Sequence, residues 1–163
     1  MADASPPLHP DIAPLAFLLG TWRGAGKGDY PTIEDFEYGE EVRFWHVGKP
    51  FLAYAQRTWD PKERRPLHAE TGYWRLPGGG DRVELVLAHP SGVVEIEEGS
   101  LAGTRIELKT TTVATTTAAK SVSALRRLLH VDGDELRYEL DMAAVGVPMT
   151  HHLQASLRRE PDA

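Results

Sequence analysis

The chain of 163 residues contains no cysteine. This absence excludes disulfide bonds, iron–sulfur clusters and zinc sites built on cysteine thiolates. Any metal-dependent chemistry must therefore depend on histidine or carboxylate ligands. A chain without cysteine also suits a reducing compartment, and we expect a cytoplasmic location.

The sequence also lacks a long apolar run and an excess of basic residues. No uninterrupted apolar stretch approaches the roughly 18 residues of a membrane-spanning helix, and the first residues have neither the basic region nor the apolar core of a secretory signal. The formal net charge is −6, whereas non-specific nucleic-acid binding needs a basic surface to neutralise phosphates. We therefore expect neither membrane attachment nor nucleic-acid binding.

What the chain does have is strand periodicity from Gly20 almost to its end. Short turn signals rich in glycine, proline and aspartate separate about ten candidate strands. Short connections imply antiparallel neighbours, and a meander of so many twisted strands tends to close on itself. The sequence therefore predicts an all-β fold, an antiparallel up-and-down β-barrel like that of lipocalins and fatty-acid-binding proteins. The candidate strands cover residues 21–27, 36–47, 51–60, 67–76, 82–88, 93–100, 105–111, 122–131, 135–142 and 150–158.

The N-terminal segment is predicted to divide into a tail and a short helix. Residues 1–13 are rich in proline, and we expect a disordered tail there. Pro14 suits the first turn of a helix, the apolar residues 15–19 follow it, and Gly20 ends it. So short a helix needs support, so we expect it to plug one end of a single barrel domain that covers residues 14–160.

The expected number of strands bears on function. A barrel of eight strands has an interior that side chains fill or that holds one small ligand, and about ten strands leave more room. The default expectation is therefore a container for a ligand. A flattened barrel filled by its own side chains is compatible with the same strand count.

Four residues near the start of the first strand form the pattern G-x-W-x-G-x-G. Trp22 is expected to close the base of the barrel, and the later glycines permit a bend or a close backbone approach. The pattern is common in lipocalin-like barrels, where its role is structural. It is not a dinucleotide-binding fingerprint, because it lacks a preceding strand and a following helix. Its residues are Gly20, Trp22, Gly24 and Gly26.

No motif for catalysis by side chains alone is present. The sequence has no nucleophile elbow, no phosphate-binding loop and no acidic pair with catalytic spacing. The acidic stretch Glu95-Ile96-Glu97-Glu98 is interpreted as a solvated strand edge.

Seven histidines are scattered through the chain, and none lies in the spacing of a local zinc motif. An isolated histidine is more often a surface or hydrogen-bonded residue than a ligand. His68 and His89 are better candidates for ligand contact, because each lies where a strand meets the predicted barrel rim.

His151 and His152 are adjacent near the start of the last strand. Neighbouring side chains of a strand point to opposite faces, so only one of the two can face the cavity. We hypothesise that this imidazole ligates a haem iron. His151 shares its face with Leu153, Ala155 and Leu157, so a rule that places apolar side chains inside selects His151.

Several stretches together resemble the nitrobindin family, in the same order along nearly the whole chain. The resemblance implies a ten-stranded antiparallel barrel that holds one b-type haem per chain with ferric iron. It implies isomerisation of peroxynitrite to nitrate, with peroxynitrite and nitric oxide as small-molecule partners. We expect the chain to be a monomer or a homodimer. The stretches are residues 20–26, 30–33, 68–73, 88–95, 131–138 and 148–157.

Residue by residue, the resemblance places the iron ligand, which is also the catalytic residue, at His152. This choice conflicts with the rule that places apolar side chains inside, which selects His151. The resemblance places further cofactor-binding residues on the cavity wall or near the haem, namely His68, His89, Met142, Thr32 and Lys120.

Two other functions fit the same sequence. Barrels of this shape are often non-catalytic carriers of an apolar ligand. A haem-based store or sensor of nitric oxide would keep the cofactor without the reaction. Haem binding separates the carrier from the other two functions, and the decay of peroxynitrite separates the enzyme from the sensor.

Overall fold

A computed structural model describes residues 4–162 of the chain. Ten antiparallel strands form a closed barrel in which each strand pairs with its neighbours in sequence and β10 pairs with β1. The predicted all-β, ten-stranded barrel is therefore confirmed. The strands are β1 (Gly20–Tyr30), β2 (Ile33–Trp45), β3 (Leu52–Trp59), β4 (Pro66–Arg75), β5 (Arg82–His89), β6 (Val93–Ala102), β7 (Arg105–Thr115), β8 (Val122–Asp132), β9 (Glu135–Ala144) and β10 (Val147–Arg159).

Alternation along the strands separates the barrel interior from its surface. In β5, Val83, Leu85 and Leu87 are buried, while Val86 between them is exposed. A period of two is the pattern that a twisted sheet with one buried face imposes. The core of the barrel therefore consists of every second side chain of each strand.

A 3₁₀ helix, Pro10–Leu18, precedes the barrel. It begins within the stretch that the sequence assigned to a tail, because Pro10 suits a first turn and the His9 imidazole accepts a hydrogen bond from the Asp11 backbone N–H at 3.2 Å. Disorder of the preceding residues stays a prediction, and residues 1–3 lie outside the described residues. Neither this helix nor the short turn Pro77–Gly79, the two helical segments of residues 4–162, is long and apolar enough to cross a membrane.

The helix packs against one end of the barrel. Its buried residues Ile12, Leu15 and Leu18 join the core together with Trp22, whose indole N–H donates to the Leu18 carbonyl at 2.8 Å. The guanidinium of Arg159 lies 4.2 Å from the Trp22 ring. This end is therefore closed, and the other end, at the β1–β2, β3–β4 and β5–β6 connections, is where ligands can enter.

Two glycines of the G-x-W-x-G-x-G pattern lie where β1 meets its neighbours closely. A Cβ at Gly24 would collide with the Ser156 carbonyl and with Leu157 of β10, and one at Gly26 would collide with the Tyr38 ring. The close approach that the pattern predicts is therefore seen between β1, β2 and β10.

Candidate functional site

A cavity of about 540 Å³ occupies the barrel interior. This volume lies within the roughly 300–1,000 Å³ typical of small-molecule sites. The cavity reaches the open end of the barrel, where Asp60 and Ser91 from two connections line it. Apolar side chains line part of the rim and the floor, with polar side chains between them and at the entrance. The rim includes Ile33, Phe36, Leu67, Met142 and Leu153, and the floor includes Phe44, Trp74, Leu129 and Leu136.

His152 lines this cavity and is half-buried. Its Nδ1 lies 2.9 Å from the backbone carbonyl oxygen of Asp29. The ring packs edge-on against Tyr30 and Phe36, with centroids 5.2 and 6.4 Å away. Burial lowers the pKa of His152, which favours the neutral imidazole. A carbonyl can only accept a hydrogen bond, so the proton of this neutral ring lies on Nδ1 and the lone pair on Nε2.

His151 points away from the cavity, and its Nδ1 lies 3.5 Å from the Asp141 carboxylate. The rule that selected His151 failed because the pairing of β10 with β9 shifts register between His151 and Leu153. At this bulge the alternation is interrupted, so both His152 and Leu153 line the cavity. Strict alternation cannot anticipate such an insertion.

The other predicted site residues divide into two groups. His68, His89 and Met142 line the cavity together with His152. Thr32 and Lys120 are exposed and lie in the β1–β2 and β7–β8 connections at the open end, outside the cavity lining. The structure therefore places the first group on the wall and the second near the entrance.

A buried cluster of charged side chains lies below the rim, and the sequence interpretation missed it. Glu95 and Glu97 are 2% and 0% exposed, whereas Ile96 between them is 40% exposed. The interpretation of this stretch as a solvated edge was therefore wrong. The physical reason is Arg127 on β8, whose guanidinium nitrogens lie 3.4 Å from Glu95 and 3.1 Å from Glu97.

Arg127 also lies 3.4 Å from Glu70 on β4. Burial opposes its charge, but Glu97, Glu70 and Glu95 beside it keep the pKa of the guanidinium above its usual value. Burial likewise opposes the charge of Glu70, and Arg127 nevertheless holds the pKa of this carboxyl below its usual range. Burial raises the pKa of Glu97 to about 7, against the attraction of Arg127. One guanidinium thus neutralises only part of the carboxylate charge around it.

A second polar group lies on β2, β3 and β9. One oxygen of Glu40 accepts hydrogen bonds from the Gln56 amide at 2.6 Å and from the Tyr138 hydroxyl at 2.9 Å. The Tyr38 hydroxyl in turn lies 2.7 Å from that of Tyr138. Burial raises the pKa of Glu40 to about 7 in spite of these donors. The cavity wall therefore contains a carboxyl group that is partly protonated near neutral pH.

One signal in the sequence could have revealed the buried charges. Arg127 shares its face of β8 with Leu125, Leu129 and Val131, all of which are buried. An arginine on an apolar strand face needs buried carboxylates as partners. Glu95 and Glu97, at alternate positions of β6, are buried carboxylates of this kind and pair with Arg127.

Comparison with known proteins places the chain in a family. The family model for the THAP4-like, heme-binding beta-barrel domain matches residues 11–159. Peroxynitrite isomerase 1 of Mycolicibacterium paratuberculosis is 57% identical over 157 residues, which is 94% of this chain and 97% of that protein. A peroxynitrite isomerase of Nocardia farcinica is also 57% identical, over 94% of this chain and 93% of its own length.

Solved structures agree with the sequence comparison. The crystal structure of Rv2717c from M. tuberculosis superposes with a TM-score of 0.88 at 49% identity, over 95% of this chain and all of that one. An S-type phycobiliprotein lyase from Guillardia theta has a TM-score of 0.62 at 9% identity, over 90% of both chains, and shares the fold alone. The match to the family model and the identity to these relatives lead to one conclusion: the chain belongs to the THAP4-like, heme-binding beta-barrel domain family.

Proposed function

We propose that this chain binds one ferric b-type haem at the open end of its barrel, with His152 as the axial iron ligand, and isomerises peroxynitrite to nitrate. Its family is described as haem-binding, and relatives with 57% identity are named peroxynitrite isomerases. The hydrogen bond between His152 Nδ1 and the Asp29 carbonyl is the observation that carries the ligand assignment.

This hydrogen bond supports His152 as a metal ligand for a chemical reason. Histidines that ligate a metal almost always donate their other ring N–H to a carbonyl, a carboxylate or water, which fixes the tautomer and the ring orientation. The Asp29 carbonyl provides that acceptor, and Nε2 keeps its lone pair. His151, in contrast, lies beside the Asp141 carboxylate outside the cavity.

The cavity suits a flat, largely apolar cofactor. Its volume is about 540 Å³, and the rim beside His152 consists of apolar side chains such as Phe36, Met142 and Leu153. Phe36 and Tyr30 also pack against the imidazole, which restricts its rotation. The residues present therefore fit a haem held by one histidine.

When bound, ferric haem supplies a Lewis-acid iron that weakens the O–O bond of peroxynitrite. The chain supplies orientation and confinement. The Asp29 carbonyl and the two aromatic rings hold the His152 ring in place. In the haem-bound chain, the apolar side chains beside His152 would limit the access of water, and the barrel wall would keep the reacting atoms together, which favours nitrate over the escape of nitrogen dioxide.

Nitric oxide would bind at the same site as peroxynitrite. Met142, His68 and His89 would line the haem cavity, with Thr32 and Lys120 near its entrance. We propose a cytoplasmic location and a monomer or homodimer.

The carrier alternative has less support from the cavity. A carrier of apolar acids needs a buried cation for the acidic head group, but Arg127 in this cavity already contacts Glu70, Glu95 and Glu97. Arg127 is thus already paired and is not available for a carboxylate head group buried at this depth of the barrel.

Stopped-flow measurement of peroxynitrite decay tests the proposed activity. We expect the decay rate to rise in proportion to the concentration of haem-loaded chain, nitrate yield to increase, and nitration of free tyrosine to fall. The haem-free chain serves as the control. A haem-loaded chain that binds nitric oxide without accelerating the decay of peroxynitrite would support the sensor instead.

A further inference from the structure

Three side chains of β4 and β5 meet on one side of the cavity. His68 and Glu70 are two residues apart on β4 and so share a face, and His89 ends the neighbouring strand β5. His68 Nε2 lies 3.0 Å from His89 Nδ1. Glu70 Oε2 lies 3.7 Å from the first of these nitrogens and 3.5 Å from the second. Two imidazole nitrogens and one carboxylate oxygen therefore form a compact triangle.

The size of this triangle matches a metal ion. A point equidistant from the three atoms lies about 2.0 Å from each, and zinc bonds to imidazole nitrogen and carboxylate oxygen are about 2.0–2.2 Å long. The three ligand atoms could thus bind one ion with little movement. The fourth coordination position would face the cavity, as in zinc sites that bind water or substrate.

Contacts behind the ligands hold them in place. His89 Nε2 lies 3.3 Å from Glu95 Oε2, and both atoms are buried without a hydrogen-bond partner among residues 4–162. A metal on His89 Nδ1 would fix the proton on Nε2, where it faces this carboxylate. The second oxygen of Glu70 accepts from the Tyr54 hydroxyl at 2.7 Å and from Arg127 at 3.4 Å. Outer contacts of this kind orient the ligands of known metal sites.

The charge and exposure of the surroundings also suit a cation. The carboxyl groups of Glu40, Glu70, Glu95 and Glu97 are buried in this wall, with Arg127 as the guanidinium among them. The His68 side chain is 40% exposed, so an ion can reach the cluster from the open end. Two imidazoles with one carboxylate select zinc and related transition metals over magnesium or calcium, which prefer oxygen ligands only.

We propose that His68, Glu70 and His89 bind one divalent transition-metal ion of the zinc class in the barrel wall, at a site separate from His152. The three ligands do not include the proposed iron ligand, although His68 and His89 would also line the haem cavity, so the titration of the haem-free chain tests this site independently of the haem proposal. The metal-free cluster is held by a hydrogen bond between the two imidazoles, which the ion replaces.

Calorimetric titration of the full chain with Zn²⁺, before and after loading with haemin, tests this site. We expect the chain to bind one Zn²⁺. The substitution His68→Ala should lower the Zn²⁺ affinity at least on the order of tenfold. Co²⁺ provides an independent readout, since its visible absorption bands report the coordination geometry. His130→Ala removes an exposed histidine of β8 elsewhere on the barrel and should leave Zn²⁺ affinity unchanged.

His68 is the preferred position for substitution because it is the exposed member of the cluster, so its loss should leave the fold intact. A thermal melt of each variant verifies folding, and His89→Ala provides a second test of the ligand set. His152→Ala should keep its Zn²⁺ affinity although it loses the proposed haem ligand. The proposal is overturned if the wild type binds no stoichiometric Zn²⁺, if His68→Ala and His89→Ala bind as tightly as the wild type, or if only His152→Ala or His130→Ala loses binding.

Discussion

His152 Nδ1 lies 2.9 Å from the backbone carbonyl oxygen of Asp29, 123 positions earlier in the chain. The two residues meet because β1 and β10 close the barrel, with Gly28 opposite Leu153. Closure therefore places a fixed acceptor beside the imidazole at the entrance of the cavity. The acceptor that orients this ring is a backbone carbonyl, so the ring orientation does not depend on which side chain occupies position 29.

The hydroxyl of Tyr30 should stabilise the same end of the barrel. It accepts a hydrogen bond from the Ala144 N–H at 3.0 Å and donates one to the Met142 carbonyl at 3.0 Å. We expect Tyr30→Phe to lower the free energy of unfolding by about 1–3 kcal/mol, because a buried N–H loses its partner. Urea denaturation measures this change. Tyr73→Phe, at a position 51% exposed, is the control, and equal losses in both variants would contradict the role of the Tyr30 hydroxyl.

Glu40 should make stability depend on pH. Its folded pKa is raised from 4.5 to about 7 by burial, so the folded chain binds this proton more tightly than the unfolded chain. The resulting stabilisation is fully present below about pH 4.5 and is lost as the pH rises through about 7. Glu40→Gln mimics the protonated group and should lack this loss.

The measurement is the free energy of unfolding of Glu40→Gln minus that of the wild type, between pH 5 and pH 9. The difference should increase with pH by up to roughly 3 kcal/mol. Taking the difference removes the contributions of other buried groups such as Glu97. Glu34→Gln on the exposed part of β2 is the control. Parallel pH curves for Glu40→Gln and the wild type would rule out a raised pKa at Glu40.

Arg127 and its neighbour Arg126 should differ sharply in their contribution to stability. Arg127→Met leaves Glu70, Glu95 and Glu97 without their buried cation, and we expect a loss of about 3–5 kcal/mol. Arg126→Met breaks only the exposed pair with Asp141 and should cost at most about 1 kcal/mol. Denaturant unfolding at neutral pH compares the two variants. Similar small losses would mean that the buried carboxyl groups are neutral without Arg127.

Gly24 should not tolerate a side chain. A Cβ there collides with the backbone of Ser156 and Leu157 on β10, so we expect Gly24→Ala to cost about 1–3 kcal/mol. Gly80 has an ordinary negative φ of −79°, and its nearest neighbour would lie 3.7 Å from an added Cβ. Gly80→Ala is therefore expected to be nearly neutral. Thermal melting of both variants tests this, and an equal melting temperature for Gly24→Ala and the wild type would contradict the close strand contact.

The sequence predicts the barrel because the fold depends on two local features that can be read from the chain: alternation of apolar and polar residues within each strand, and turn residues between consecutive strands. The strand β5 and the part of β8 from Leu125 to Asp132 follow this pattern, with buried residues alternating with exposed or half-buried ones. The helix boundary was less predictable, since Pro10 and Pro14 both suit a first turn and only burial of Ile12 against the barrel distinguishes them.

Two features of the site depend on contacts that local pattern does not encode. The bulge between His151 and Leu153 arises from pairing with β9. It interrupts the alternation of β10, so that the neighbouring residues His152 and Leu153 both line the cavity. Glu95 and Glu97 are buried because Arg127, at least 30 residues away in sequence, reaches them from β8, with only β7 between the two strands. In both cases the deciding interaction lies between strands.

Titration of the haem-free chain with haemin, followed by the Soret absorption band, tests the assignment of His152 most directly. The wild type and His151→Ala should each bind one haemin with the same Soret band. His152→Ala should bind at least on the order of 100-fold more weakly, because it removes the imidazole that the Asp29 carbonyl orients. Tight binding by His152→Ala together with loss of binding by His151→Ala would contradict the account.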